Sequence, residues 1–255
     1  MRGGGLMVAT KKAPTNKFFE NEYNLKDLLT LSIAVTRINK GYVKKDAIID
    51  EDEDGVDTKL PNLFIINNKL GIEKFKTKRI DKTLAKYYPA VNVLPEDSVN
   101  VDHMIRYFKG LSMKAIKRSI SDFEQSILSL INKEFVPYKD IGIIASLPNV
   151  YSNGLKQKAF NKLEKFLAKE SEHVGTLHER GEFNVELLHV KYIWRSGSYL
   201  VVAKDIDDNL IKFFCNQSGL EVGDVKSITG YVKDHTMGKQ SGGPETYLNR
   251  IKFVE

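Results

Sequence analysis

Cysteine is almost missing from this chain. The single Cys215 excludes an internal disulfide framework and any cysteine-based zinc cluster, and a chain without disulfides is expected in the cytoplasm. No apolar run reaches membrane-spanning length, so no membrane partner is expected. The opening stretch MRGGGLMVATKKAPTNK is basic but lacks the apolar segment of a secretion signal, and residues 1–17 read as a flexible arm. No Walker loop, G-x-S-x-G elbow or dinucleotide fingerprint occurs. His173 and His178 have no cysteine-rich partner and no H-E-x-x-H accompanies them, so neither a metal nor another cofactor is expected. Asp50, Asp52, Asp54 and Gly55 have the opening spacing of a calcium loop. The twelfth position, where a bidentate glutamate closes the cage, is Pro61. Residues 50–57 therefore read as an exposed acidic loop.

What is present is enough apolar residue, 42% of 255, to build real cores, and a net charge of +6. That charge is uneven. Residues 69–170 hold nineteen Lys and Arg against eleven Asp and Glu, whereas residues 173–255 hold ten against eleven. Any polyanion would feel its long-range attraction mainly from the first part of the chain.

Helical spacing dominates that part. Asn24 precedes LKDLLTLSIAVTRINKG, with a stripe of Leu25, Leu28, Leu29, Ile33 and Ile38 and with Gly41 at the expected C-cap. LFIINN is a short apolar run, and the basic stretch EKFKTKRIDKTLAKYYP follows. Residues 98–134 read as two or three helices, the last capped by Ser121 or Asp122, with Phe123, Ile127, Leu130 and Ile131 on one face. IGIIASLP reads as a short buried strand or connector. Asn153 and Gly154 then open a helix that turns Leu155, Ala159, Phe160, Leu163, Phe166 and Leu167 inward and a row of lysines outward.

From about Gly181 the apolar period changes to two. EFNVELLHVKYIW, YLVVAK, LIKFFC, VKSITGYVKDH and TYLNRIKFV read as five strands, with RSGS and DIDDN as hairpin turns. Five strands in about seventy-five residues fit a small Greek-key barrel of OB type. The fold class is α+β: a mixed, largely helical domain over residues 18–170 and a five-stranded OB-type β-barrel over 171–255.

LEVGD resembles the L-x-x-G-D step before the fourth strand of many OB-folds. The run from GSYLVV to RIKF resembles C-terminal OB modules of bacteriophage replication and single-stranded-DNA-binding proteins. These share a d-x-x-g-n hairpin, a G-x-V-K-x-H strand and a closing T-x-L-N-R-x-K strand. Asp208 stands where the hairpin usually has glycine. The resemblance covers the last third of the chain and implies binding of single-stranded nucleic acid, DNA rather than RNA, in a phage-type replication or recombination system.

Single-strand binders stack bases on rings and follow the backbone with cations. The barrel candidates are Tyr192, Trp194, Tyr199, Lys212, Tyr231, Lys233, Lys239, Tyr247, Arg250 and Lys252, with Lys239 on a long, flexible glycine-rich loop. Alternate strand positions face the core, so about half of the barrel's rings are expected to pack; Phe183, Ile193, Phe213 and Phe253 are assigned there. Upstream, Lys74, Lys76, Lys78 and Arg79 interleave with Phe75, Tyr87 and Tyr88, a pattern suited to a nucleic-acid surface. The nucleotidyl-lysine motif of ligases is missing, and no catalysis is expected. The competing expectation is an OB-type module that docks on a polymerase, nuclease or transcription enzyme through acidic residues 50–57, or serves as accessory subunit of such an enzyme.

Overall fold

Asn24 does cap the first helix: its Oδ1 accepts the Asp27 N–H at 3.2 Å. The computed structural model describes residues 10–11, 21–52, 55–72, 87–117 and 120–254. Lys74, Lys76, Lys78 and Arg79 lie outside the described residues, as do Asp54 and nearly all of the arm. The chain divides into two compact units, Met1–Gly154 and Leu155–Glu255, a boundary earlier than the expected 170/171. Among the described residues no helix is long and apolar enough to cross a membrane.

The first unit contains strands β1 (Thr10–Lys11), β2 (Glu22–Asn24), β3 (Ile48–Asp52), β4 (Gly55–Lys59) and β5 (Phe135–Pro137). Its helices are α1 (Leu25–Ile38), α2 (Asn62–Lys69), α3 (Pro95–Lys109), α4 (Leu111–Lys117), α5 (Asp122–Ile131) and the start of α6 (Ile141–Leu167). Helix α1 sits in the core through Leu28, Leu29, Leu31, Ala34 and Val35, with the polar Thr30 and Ser32 buried beside them. Its left-handed closing residue is Lys40 (φ 51), one position before the expected Gly41. Ser121 and Glu124 form a reciprocal capping box on α5, but Phe123 is exposed and not on the buried face.

Two expectations change here, and a third segment finds its element. LFIINN belongs to α2, because Asn62 is anchored: its amide binds the Val43 N–H, the Asn39 side chain and the Thr36 hydroxyl. The acidic stretch is a hairpin in its backbone, with Asp50 opposite Asp57 and Asp52 opposite Gly55. IGIIASLP opens α6, burying Ile141, Ile144, Ala145 and Leu147 at helical spacing, and Pro148 sits inside the helix.

The second unit is the end of α6 and a closed barrel of β6 (Arg180–Ile193), β7 (Ser198–Lys204), β8 (Leu210–Cys215), β9 (Val225–Met237) and β10 (Pro244–Val254). The order around the barrel is β6-β7-β8-β10-β9 and back to β6, with β8 and β10 parallel and every other pair antiparallel. In strand numbers this is 1-2-3-5-4-1, an OB-type barrel. Val185, Leu187, Val201, Ala203, Ile211, Phe213, Ile228, Val232 and Leu248 fill it. The register of β6 shifts between Leu187 and His189, which turns Val190 inward and His189 outward. At the β7–β8 hairpin Asp208 itself takes the left-handed backbone (φ 64) that glycine usually supplies.

The α6 end packs one residue out of the expected phase. Glu164, Leu167 and Ala168 are buried and Phe160 half-buried, while Leu155, Ala159, Leu163 and Phe166 are exposed. Two contacts set that phase. Glu164 pairs with a barrel lysine, and Gly243 lies so close to the Ala168 carbonyl that a β-carbon would overlap it. These contacts are why residues 155–170 group with the barrel.

Candidate nucleic-acid interface

Strand alternation sends Leu200 and Val202 of β7 and Lys212 and Phe214 of β8 to the outside of the barrel, opposite to the core set Val201, Ala203, Ile211 and Phe213. Register extends the row: Asp234, Tyr247, Lys212, Val202 and His189 lie side by side across β9, β10, β8, β7 and β6. The α6 end covers part of this surface. The Phe160 ring stacks on His189 at 4.5 Å between centroids, 21° between planes.

Lys212 is where the structure overturns the sequence expectation most clearly. It is 8% exposed and its Nζ lies 2.8 Å from both Glu164 Oε1 and Glu245 Oε1. The Ser241 hydroxyl also donates to Glu245 Oε1. Burial acts to lower the Lys212 pKa, but the bonds to Glu164 and Glu245 outweigh it and the group ends above its ordinary value. Lys212 is therefore an internal cation between two carboxylates and not a phosphate contact. The three side chains together carry one net negative charge.

Around this centre lies a cleft of about 560 Å³. Phe160, His189, Leu200, Val202 and Tyr247 supply its flat and apolar walls, and the exposed cations Lys191, Lys233 and Lys239 line it. Burial, then the Lys191 charge, lower the His189 pKa against the opposing pull of Glu164, so the ring is neutral at neutral pH.

The expected flexible basic finger is a short, bonded turn. The Gly238 N–H donates to the Gly243 carbonyl and the Gly242 N–H to the Gly238 carbonyl, both at 2.8 Å. Gln240 Nε2 donates to Asn161 Oδ1 at 2.7 Å. Only Lys239 carries charge there. Gly238 is required because a β-carbon would overlap the Glu245 carboxylate.

A second cleft, about 920 Å³, is lined by Phe214, Phe253, Arg250 and Lys252, with Ser196 from the β6–β7 turn and Ser198 at the start of β7. It adjoins the first, because Phe214 is the direct register partner of Leu200. The same turn holds Trp194, 88% exposed, its ring edge-on to Tyr192 at 5.0 Å, and Tyr192 in turn lies 5.0 Å from Tyr199. Tyr231 is half-buried and lines neither cleft; it lies beneath the Arg250 guanidinium at 5.6 Å.

The chain matches no family model, no curated protein and no solved structure.

The candidates thus separate into groups: Lys233, Lys239 and Tyr247 at the first cleft, Arg250 and Lys252 at the second, and Tyr192, Trp194 and Tyr199 at the β6–β7 turn. Phe160, His189, Lys191 and Phe214 join the site although none of them was a binding candidate in the sequence. Phe214 was readable, since alternation that buries Phe213 must expose its neighbour. His189 and Lys191 were not, because the register shift in β6 reverses their parity. Glu164 carried one signal: a lone acid among the lysines of α6, on the phase of Phe160, Leu167 and Ala168.

Proposed function

We propose that this chain binds single-stranded nucleic acid, DNA in preference, along the outer face of β7 and β8, acting by binding and not by catalysis. One observation carries the reading. Two adjoining clefts, each with rings and cations, meet at the Leu200–Phe214 pair on the outer face of the second and third barrel strands. They run between the two turns, β6–β7 and β9–β10, that OB barrels use to hold oligonucleotides. Bases stack on Trp194 and on the rings of the clefts, while Lys191, Lys233, Lys239, Arg250 and Lys252 follow the phosphates. A phage-type replication or recombination setting is part of this proposal and rests on the resemblance of the barrel strands.

The test is fluorescence anisotropy of a labelled oligo-dT against a duplex of equal length. Tighter binding of the single strand is expected. Absence of binding to oligo-dT at low salt contradicts the proposal.

A protein partner is the second reading. Leu155, Leu163 and Phe166 form an exposed apolar row on α6, Phe166 at 68%, and none of them lines either cleft. Docking on a replication or transcription enzyme through this row would be insensitive to salt and lost in Phe166→Glu.

A further inference from the structure

The first cleft has an unusual floor. Glu164 is 2% exposed, and its Oε1 bonds Lys212. Its Oε2 is buried and has no hydrogen-bond partner among the described residues. A buried carboxylate oxygen without a donor is costly, and native structures rarely leave one so. Glu164 also lines the cleft. A ligand donor entering the cleft would supply the missing partner.

The charges narrow what can enter. Glu164, Glu245 and Lys212 leave one net negative charge at the floor, which repels phosphate and any carbonyl edge at that depth. Lys212 already occupies the space between the carboxylates, where a metal ion would have to sit. Lys191, Lys233 and Lys239 repel a cationic peptide side chain but suit a phosphate outside the pocket. The walls are the Phe160–His189 stack and Tyr247. The occupant has a flat apolar body, a hydrogen-bond donor at its inner edge and an anion at its outer end. Those are the parts of a nucleotide.

We infer that the first cleft is a nucleobase pocket that selects bases bearing an exocyclic amino group over thymine and uracil, with Glu164 Oε2 as the acceptor. Cytosine N4, adenine N6 and guanine N2 each present an amino donor, whereas the only donor on the pairing edge of thymine or uracil, N3–H, lies between the O2 and O4 carbonyls, two acceptors that an already negative floor repels. The inference rests on the single-strand reading above and deepens it. Single-strand binders ordinarily owe mild base preferences to stacking; here a hydrogen bond sets the preference.

The test uses the unmodified protein and changes only the ligand. Labelled oligo-dC and oligo-dU of equal length differ at the base edge by the 4-amino against the 4-oxo group and the proton on N3. Anisotropy at neutral pH and moderate salt is expected to give oligo-dC about tenfold tighter, the scale of one hydrogen bond to a charged acceptor. Glu164→Gln presents an amide donor where the acceptor stood and is expected to erase or invert the preference. Its far-UV circular dichroism and melting temperature show whether the barrel remains folded. Equal binding of both oligomers, or tighter oligo-dU, overturns the pocket and leaves the single-strand reading standing. Binding of neither at low salt overturns the single-strand reading, and the pocket with it.

Discussion

Glu164, near the end of a helix, and Lys212, in the middle of a barrel strand, meet at 2.8 Å in a buried position. Their bond fixes how the helix seats on the barrel and creates the floor of the cleft. Lys212→Met removes the cation that bridges Glu164 and Glu245. Loss of one partner from a buried ion pair costs about 3–5 kcal/mol, so urea denaturation at neutral pH should show a drop of that order. Two buried carboxylates left together are easier to hold when one is protonated. The variant should therefore regain part of the loss as pH falls, and a deficit independent of pH would contradict the ion-pair account.

His189 gives a separate pH signature. Burial lowers its folded pKa below the ordinary 6.5, so the unfolded chain binds more protons there than the folded one, and stability rises with pH across that window. The contribution is complete above the unfolded value and lost as pH falls through the folded one. Comparing denaturation midpoints at pH 8 and pH 5 in the native protein and in His189→Phe should show a smaller acid-induced loss in the variant.

Close approach makes two glycines irreplaceable. Gly243→Ala would drive a methyl into the Ala168 carbonyl, and Gly238→Ala one into the Glu245 carboxylate. Overpacking of this kind costs about 1–3 kcal/mol, which differential scanning calorimetry would register as a lower melting temperature. Gly243→Ala, which acts against backbone, should be the more damaging of the two.

Trp194 separates binding from folding. At 88% exposure it packs little, so Trp194→Ala should leave the melting temperature almost unchanged. Loss of one stacking platform is worth about 1–3 kcal/mol per base, which is at least a severalfold rise in Kd for oligo-dT. Unchanged affinity would remove the β6–β7 turn from the interface.

Much of the second unit was legible because a barrel states its pattern openly. Alternation, turn residues and the L-x-x-G-D step located all five strands, and alternation assigned Phe213 to the core. What was hidden depended on long-range contacts. Lys212 looked like a surface cation because Glu164 and Glu245, its partners, lie 48 residues before it and 33 after it. The face of α6 was misjudged by one residue because six apolar side chains outweighed a single glutamate in the pattern. Pro148 disguised the start of that helix as a connector, although Ile141, Ile144 and Ala145 already had helical spacing. The glycines of the β9–β10 turn suggested mobility, and in the structure Gly238 serves close approach to Glu245.

The most direct measurement is the salt dependence of oligo-dT binding, by fluorescence anisotropy, for the native protein and for the combined variant Lys191→Gln, Lys233→Gln and Lys239→Gln. Each phosphate contact contributes about −0.7 to the slope of log K against log salt for single strands. Tight low-salt binding that weakens with salt is expected, with the slope about two units shallower in the variant. An unchanged slope, or no binding at low salt, would contradict an interface on the β7–β8 face.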